Sequence, residues 1–530
     1  MSAPRDRGEL AIVLHSHMPY VEGFGTWPFG EEWLFEAAAT AYLPLLGYCE
    51  RWVQAGKRNL LTIGITPVLS DQLMLPEVCE RLLRFVCDTR ANCHRLDIAG
   101  LEEAGQKRAA HALRQSWLDY ERAADRFEAL DRDLVGAFRR FRDCGLIELW
   151  ASAASHAVLP LLATEAGIRL QLFTGIDSHR SCFGAWSGGF WLPECAFRVG
   201  LDDQLAQAGV RAFCVDQTVA GDSLDQLEPI ACDGGGVAIP IDWETISLVW
   251  DDRGYPSDPA YRDYHAPSIN GLRPWANSGK PYESEVASKR AKEHARDFVR
   301  RVIERLDRYR EARGRPGLVV CALDTELLGH WWYEGPSWLD AVVEESARGG
   351  LGLTTLPDAL DRYEPQSREI RESSWGRGKD LKTWDSPQVA YLVWPARRAE
   401  LALAAELGRH PRSASINGAA SRAARELLAL QSSDWAFMAT RELAADYPRI
   451  RVHDHAASFD RALASVRRSM GDSPAMPERN TGAPAGIDPN LRGLAPGLTL
   501  SPLYMPSSGW GRPRAVTRSP GERRRRRSPA

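Results

Sequence analysis

At 530 residues, 44% of them hydrophobic, the chain can bury a large core, and its length corresponds to about two to four domains or to one large barrel with additions. Sixty-six basic residues against 70 acidic ones leave a formal charge of -4, which gives no basis for a nucleic-acid partner or an anionic-membrane surface. The apolar stretch at 10–14 is too short for a secretory signal, and no segment approaches the roughly 18 apolar residues of a membrane span, so the expectation is a cytoplasmic protein without membrane insertion.

In chain order, near-continuous apolar runs occur at 9–17, 60–67, 146–155, 189–194, 211–216, 237–242 and 317–326. They read as parallel strands covered on both faces. Helix-like sequence separates most of them, which predicts an α/β layering; about seven strands predict a (β/α)7 barrel, with an open sheet as the alternative. A charged, heptad-like stretch at about 76–143 reads as a helical region inserted between the second and third strands. The barrel domain is expected over 1–394. Helical sequence then dominates, as in RRAELALAAELG at 397–408 and SRAARELLALQ at 421–431, predicting a C-terminal helical domain over 395–470 that contributes to the cleft. Residues 471–530 form an extension rich in Pro, Gly and Ser whose Arg-rich tail, with a run of five arginines and too little apolar surface to offset chain entropy, is expected to be disordered.

Polar residues gather where the predicted strands end: His15 and His17, Thr66, His156, Glu194, Asp216, Asp242, Asp324 and Glu326. Barrels and open parallel sheets bind ligands at those ends. His15 and His17, two residues apart in LHSHMPY, share a strand face. They suit contacts to a ligand or structural hydrogen bonds; a metal is the weakest reading, because no third ligand stands at metal spacing. Ten cysteines lie scattered without CxxC spacing and read as reduced core residues. In CALDTELLGHWWYEGP, Asp324 and Glu326 share a face and are followed by His330, Trp331 and Trp332. The acidic pair alone is equally compatible with a salt-bridge network; aromatic rings beside carboxylates point towards a sugar site.

The motifs LHSHMPY, GITPVL, GFWLPE and LDTELLGHWWYEGP resemble, in order, those of glycoside hydrolase family 57, specifically its 1,4-α-glucan branching enzymes in actinobacterial form. Further similarity at 250–265, 292–299, 373–376 and 427–438 extends the resemblance over roughly 9–460. It implies a (β/α)7 barrel with a helical insertion and a helical domain completing the cleft. It also implies Glu194 as nucleophile and Asp324 as general acid/base, the two carboxyl roles of a retaining glycosyl transfer. Glu326 competes with Asp324 for the acid role on pattern alone, and only the resemblance favours Asp324. By the family pattern His15, His17 and His156 line the donor subsites, and Asp434 in QSSDW reaches in from the helical domain; Glu326 and His330 complete the polar set. Trp27, Trp275, Trp332, Trp384 and Trp435 are candidates to stack on glucose rings, with a place in the core as the alternative for each.

The implied function is 1,4-α-glucan branching, with α-1,4-glucan chains as donor and acceptor. A family hydrolase, a 4-α-glucanotransferase and a non-catalytic glycan-binding protein are the alternatives. Two carboxyl groups suffice for the chemistry, so no metal or organic cofactor is expected.

Overall fold

The computed structural model describes residues 7–409, 417–469, 491 and 493–504. Nine strands build one sheet: β1 (Gly8–Ser16), β2 (Leu61–Ile65), β3 (Ile147–Ser152), β4 (Gly189–Trp191), β5 (Ala212–Val215), β6 (Ile230–Ala231), β7 (Val237–Pro240), β8 (Gly317–Asp324) and β9 (Gly352–Leu353). Seven run parallel in the order β7-β5-β4-β3-β2-β1-β8; β6 is antiparallel to β7, and β9 pairs with β1.

These seven are the runs marked by the sequence. The sheet curls until the Asp242 N–H, just past β7, donates to the Val320 carbonyl of β8 at 2.8 Å, joining the two ends of the path. The architecture is therefore a distorted, incompletely closed (β/α)7 barrel rather than an open sheet. Every residue of β1 and β2 is buried, which explains why neither shows a polar alternation. Where both strands begin, β1 and β8 pair through Gly8 and Gly317; a Cβ on Gly8 would lie 2.3 Å from the Gly317 carbonyl oxygen, and its φ of 127° suits glycine.

Between β2 and β3 run helices at Pro76–Arg84, Ala91–Glu103, Lys107–Ala129 and Leu134–Asp143. The helical C-terminal region comprises Ala390–Arg409, Asn417–Leu430, Asp434–Arg441 and Tyr447–Ser469, the first of which runs across the expected boundary at 394. Its core includes Leu403, Leu427, Leu428, Trp435 and Phe459, and it continues into the barrel side through Tyr20, Val68 and Leu170.

Within the extension past 470, Leu491, Leu494, Leu500 and Leu503 are buried against this helical core. Arg425 donates to the Leu494 and Ala495 carbonyls, the Ala495 N–H donates to buried Asp71 at 2.8 Å, and Arg169 donates to the Pro502 carbonyl. Composition had given no sign of this packing. The arginine run at 523–527 lies outside the described residues. All ten cysteines are free, as expected, but Cys87 and Cys144 are exposed and so are not core residues. Among the described residues no helix is long and apolar enough to cross a membrane.

Candidate active site

The ends of β1, β3, β4 and β8 bring together side chains far apart in sequence. His15 stands opposite Asp324 in the β1–β8 register. Beyond β3, His156 adopts φ 57°, and beyond β4, Glu194 and Cys195 adopt φ 62° and 48°. Left-handed backbone at non-glycine residues costs about 1 kcal/mol or more each, so the surroundings must hold these turns. They do so with backbone bonds: Cys195 N–H to Leu192 O at 2.9 Å, Trp375 N–H to Glu194 O at 2.9 Å, and a reciprocal pair between Phe197 and Ser373. The turn aims the Glu194 carboxylate inward, where Oε2 accepts the Trp375 indole N–H at 2.8 Å.

Three histidines stack beside it, with ring centroids 4.8 Å apart for His15 and His156 and 4.0 Å for His17 and His156. The far face of His15 lies on Trp191 at 4.8 Å, and Trp191 meets Trp375 edge to face at 5.1 Å. His156 Nδ1 hydrogen-bonds with Ser433 Oγ at 2.9 Å and lies 3.6 Å from Glu194 Oε1. His17 is held at both nitrogens, by Thr66 Oγ1 at 3.0 Å and Asp434 Oδ2 at 2.9 Å. Both nitrogens of His15 and Nε2 of His156 are buried without a protein partner.

The ionisation pattern follows from these contacts. Burial, then the charges of Glu326 and Glu194, raises the Asp324 pKa well above the ordinary carboxyl value. Burial also raises that of Glu194, but hydrogen bonds from Trp375 and Ser433 favour its charged form and oppose the rise. Glu326 is pushed up to about 7 by burial, against donors that include Tyr42 and the His17 N–H at 3.0 Å. Burial drives His15 and His156 well below the usual imidazole value, with His17 adding to both. For His17 burial acts downward as well, yet Asp434, Glu326 and Glu194 outweigh it and raise its pKa. The cluster thus holds one imidazole that favours the charged form among two that favour the neutral form.

Of the residues singled out by sequence, His15, His17, His156, Glu194, Asp324, Glu326 and Asp434 meet here. His330 does not join them directly: it packs edge to face on Tyr264, and burial holds its pKa at about 4. Three of the tryptophans sit in packed surroundings, the alternative given for each. Trp332 is 1% exposed and packs on Tyr261 and Trp338; Trp384 is 2% exposed among Val158, Ala196 and Ala436. Trp435, also 2% exposed, gives its indole N–H to the Ala429 carbonyl. Trp384 and Trp435 also line a small cavity with Ser432, Ser433 and Glu400. Trp27 is 63% exposed at the rim of a 560 Å³ cleft with Arg84, Thr89 and Asn270, and Trp275 is partly buried with its backbone bonded to Asp263.

Sequence reasoning passed over Trp375, Ser433 and Tyr42. Trp375 lies in the SSWG motif and Ser433 directly precedes Asp434, so both positions were in view, but only the folded chain shows their contacts. Tyr42 donates to the Glu326 carboxylate from a helix with no motif to mark it.

The sequence matches the model of Glycosyl hydrolase family 57 over residues 11–370 and that of the 1,4-alpha-glucan branching enzyme C-terminal region over 397–479. The chain belongs to glycosyl hydrolase family 57. This family-57 chain is 33% identical over 508 residues to a 1,4-alpha-glucan branching enzyme of Thermococcus kodakarensis, which covers 87% of this chain and 74% of that protein. It is 34% identical over 497 residues to a probable 1,4-alpha-glucan branching enzyme of Mycobacterium tuberculosis, covering 87% and 93%. The crystal structure of a family-57-type branching enzyme from Pyrococcus horikoshii superposes with a TM-score of 0.85 at 30% identity, over 94% of this chain and 97% of that one. An α-amylase of Thermotoga maritima shares the fold, with a TM-score of 0.75 at 24% identity over 89% and 98%.

Proposed function

We propose that the protein is a 1,4-α-glucan branching enzyme that cleaves an α-1,4 bond with retention and transfers the chain to a glucan 6-hydroxyl. The observation that carries the reading is the pair Glu194 and Asp324 at the ends of β4 and β8, within a chain that carries the branching-enzyme C-terminal region as well. Glu194 attacks the anomeric carbon, and Asp324, kept protonated by burial and neighbouring carboxylates, donates to the leaving oxygen. A covalent glucosyl enzyme follows; the deprotonated Asp324 then takes the proton of the acceptor hydroxyl and Glu194 departs. The unpartnered nitrogens of His15 and His156 suit sugar hydroxyls, since buried polar atoms are rarely left unpaired. Glu326, held by Tyr42 and the His17 N–H, orients this array without taking a proton from substrate.

The archaeal and mycobacterial relatives, at 33% and 34% identity, do not separate the two lineages, so an actinobacterial assignment rests on the motif spellings. A cytoplasmic location is supported by ten free cysteines. The test is incubation with linear amylose, debranching of the product and measurement of new α-1,6 linkages. Their formation in excess of new reducing ends is expected; reducing ends alone would overturn branching in favour of hydrolysis.

A further inference from the structure

We infer that Lys379 is a positioning residue of this site, clamping through buried Asp216 the loop that sets the Trp375 indole against Glu194. The inference rests on the proposed role of Glu194.

Asp216 closes β5 and is fully buried. Its carboxylate accepts the Trp243 indole N–H, the Thr218 N–H at 2.9 Å and the Lys379 ammonium at 2.8 Å. The same ammonium lies 3.0 Å from the centroid of the Trp243 ring. Three elements therefore meet at one cation: the end of β5, the helix Trp243–Trp250 after β7, and the loop at 371–384. Removing one partner of a buried ion pair costs far more than the pair contributes, because the other charge is left uncompensated.

The loop is tied on two sides. Upstream, Gln217 donates to the Arg371 carbonyl and accepts the Arg371 N–H, both at 2.9 Å, and Ser373 pairs with Phe197. Downstream, Lys379 has φ 58°; its N–H donates to Gly376 O at 2.9 Å and its carbonyl accepts the Ser374 N–H. Residues 374–379 thus form a tight turn around Trp375. A Cβ on Gly376 would lie 2.8 Å from the Trp384 ring, so that buried ring is the floor of the turn. The upstream bonds hold without Lys379, whereas its ammonium fixes the downstream half. Loss of the ammonium should consequently loosen the indole on Glu194 without unfolding the barrel.

The test uses the full chain with Lys379→Met, which keeps much of the stem's packing and removes the charge, alongside Lys379→Arg and Asp216→Asn. Wild type is first assayed for α-1,6 linkage formation and for labelling of Glu194 by a fluorinated maltosyl inhibitor. If it does neither, the functional reading falls and the inference with it. With wild type active, Lys379→Met is expected to fold but to melt several degrees lower, since Asp216 loses its cation, and to label Glu194 about tenfold more slowly. The acid limb of kcat/KM should move up by about one pH unit, because the indole donor favours the charged carboxylate. The other groups facing Glu194, namely His156, His17, Asp324 and Asp434, are the same in all variants; Lys379→Met also removes a charge that reaches the neighbouring Cys195, so an upward shift in Asp216→Asn, which removes a negative charge instead, is what reports the Trp375 contact. Asp216→Asn should act in the same direction, and Lys379→Arg should restore most of the rate. A folded Lys379→Met with labelling within twofold of wild type and an unmoved limb overturns the inference. If that variant does not fold, Asp216→Asn is read by the same criterion; unfolding of both makes the pair structural and also overturns it.

Discussion

Glu194 and Asp324 are both buried carboxyl groups at strand ends, and their neighbours divide the roles between them. Asp324 faces two other carboxylates, whereas Glu194 receives donors from Trp375 and Ser433. Glu194→Gln should therefore abolish transfer while the fold and glucan binding persist, since an amide cannot form the glycosyl ester. Asp324→Asn should still accept a donor with a good leaving group, because that donor needs no proton; rates on aryl maltosides and on amylose check the contrast. Glu326 has a stability signature as well. Its pKa is about 7 in the fold against an ordinary value of 4.5, so it is neutral in both states at low pH, and its ionisation costs stability as pH rises from 4.5 to 7. That difference corresponds to about 3 kcal/mol, complete above pH 7. Glu326→Gln can still accept from Tyr42 and the His17 N–H, so its stability relative to wild type should improve by about 2.5 kcal/mol between pH 5 and pH 8. A relative stability that does not change with pH, measured by denaturant unfolding, would count against it. The carboxylates were legible in sequence because they end apolar runs within recognisable motifs. For Trp332, Trp384 and Trp435 the sequence leaves the stacking and core readings both open, because a tryptophan beside a catalytic-looking motif gives no sign of which ring face the core will cover. Trp375 was missed because its function is one indole N–H, whose acceptor lies 181 residues away.

At the scale of elements, the strands could be read because burial on both faces imposes uninterrupted apolar runs, and the inserted helices because amphipathic patterning repeats. The segment at 493–504 could not, since its leucines are spaced by Gly, Pro and Ser and acquire meaning only against a surface made elsewhere. That surface is specific. A Cβ on Gly493 would lie 2.5 Å from Leu75 Cδ1 and 2.9 Å from the Tyr20 hydroxyl, and Leu494 is completely buried. Leu494→Ala should cost about 2–5 kcal/mol, and Gly493→Ala about 1–3 kcal/mol through overpacking. Thermal melting of the two variants checks both numbers; unchanged melting of Leu494→Ala would mean the segment does not hold its docked position in solution.

For the whole molecule, the decisive feature is that the site is shared between the barrel and the helical region. The Ser433 N–H donates to the His156 carbonyl, Ser155 Oγ donates to the Leu428 carbonyl at 2.5 Å, and Gln171 donates to Gln431 at 2.9 Å. Buried Arg451 reaches back to the Tyr20 carbonyl at 2.7 Å and stacks on Phe24. The helices are therefore part of the wall of the site. The pair His17–Asp434 is the charged member of this junction, and its pH dependence has a definite sign. His17 has a raised pKa, so its contribution is full below its unfolded value near 6.5 and fades as pH rises through the higher folded value. Asp434 is lowered, chiefly because His17 outweighs the effect of burial, so its contribution is full above about 3.8 and fades as pH falls through the lower folded value. The pair is thus strongest between roughly pH 4 and 6.5. Asp434→Asn keeps the size and an acceptor oxygen but removes the charge that holds His17 protonated. Its destabilisation should reach about 1.5–3 kcal/mol at pH 5.5, the range for a hydrogen bond between charged groups, and shrink at pH 9. The branching rate at pH 5.5 should fall with it, since Ser433 and the stacked histidines lean on the same junction. Equal destabilisation at the two pH values would assign Asp434 a role in packing alone and detach the charge of His17 from the joining of the two parts.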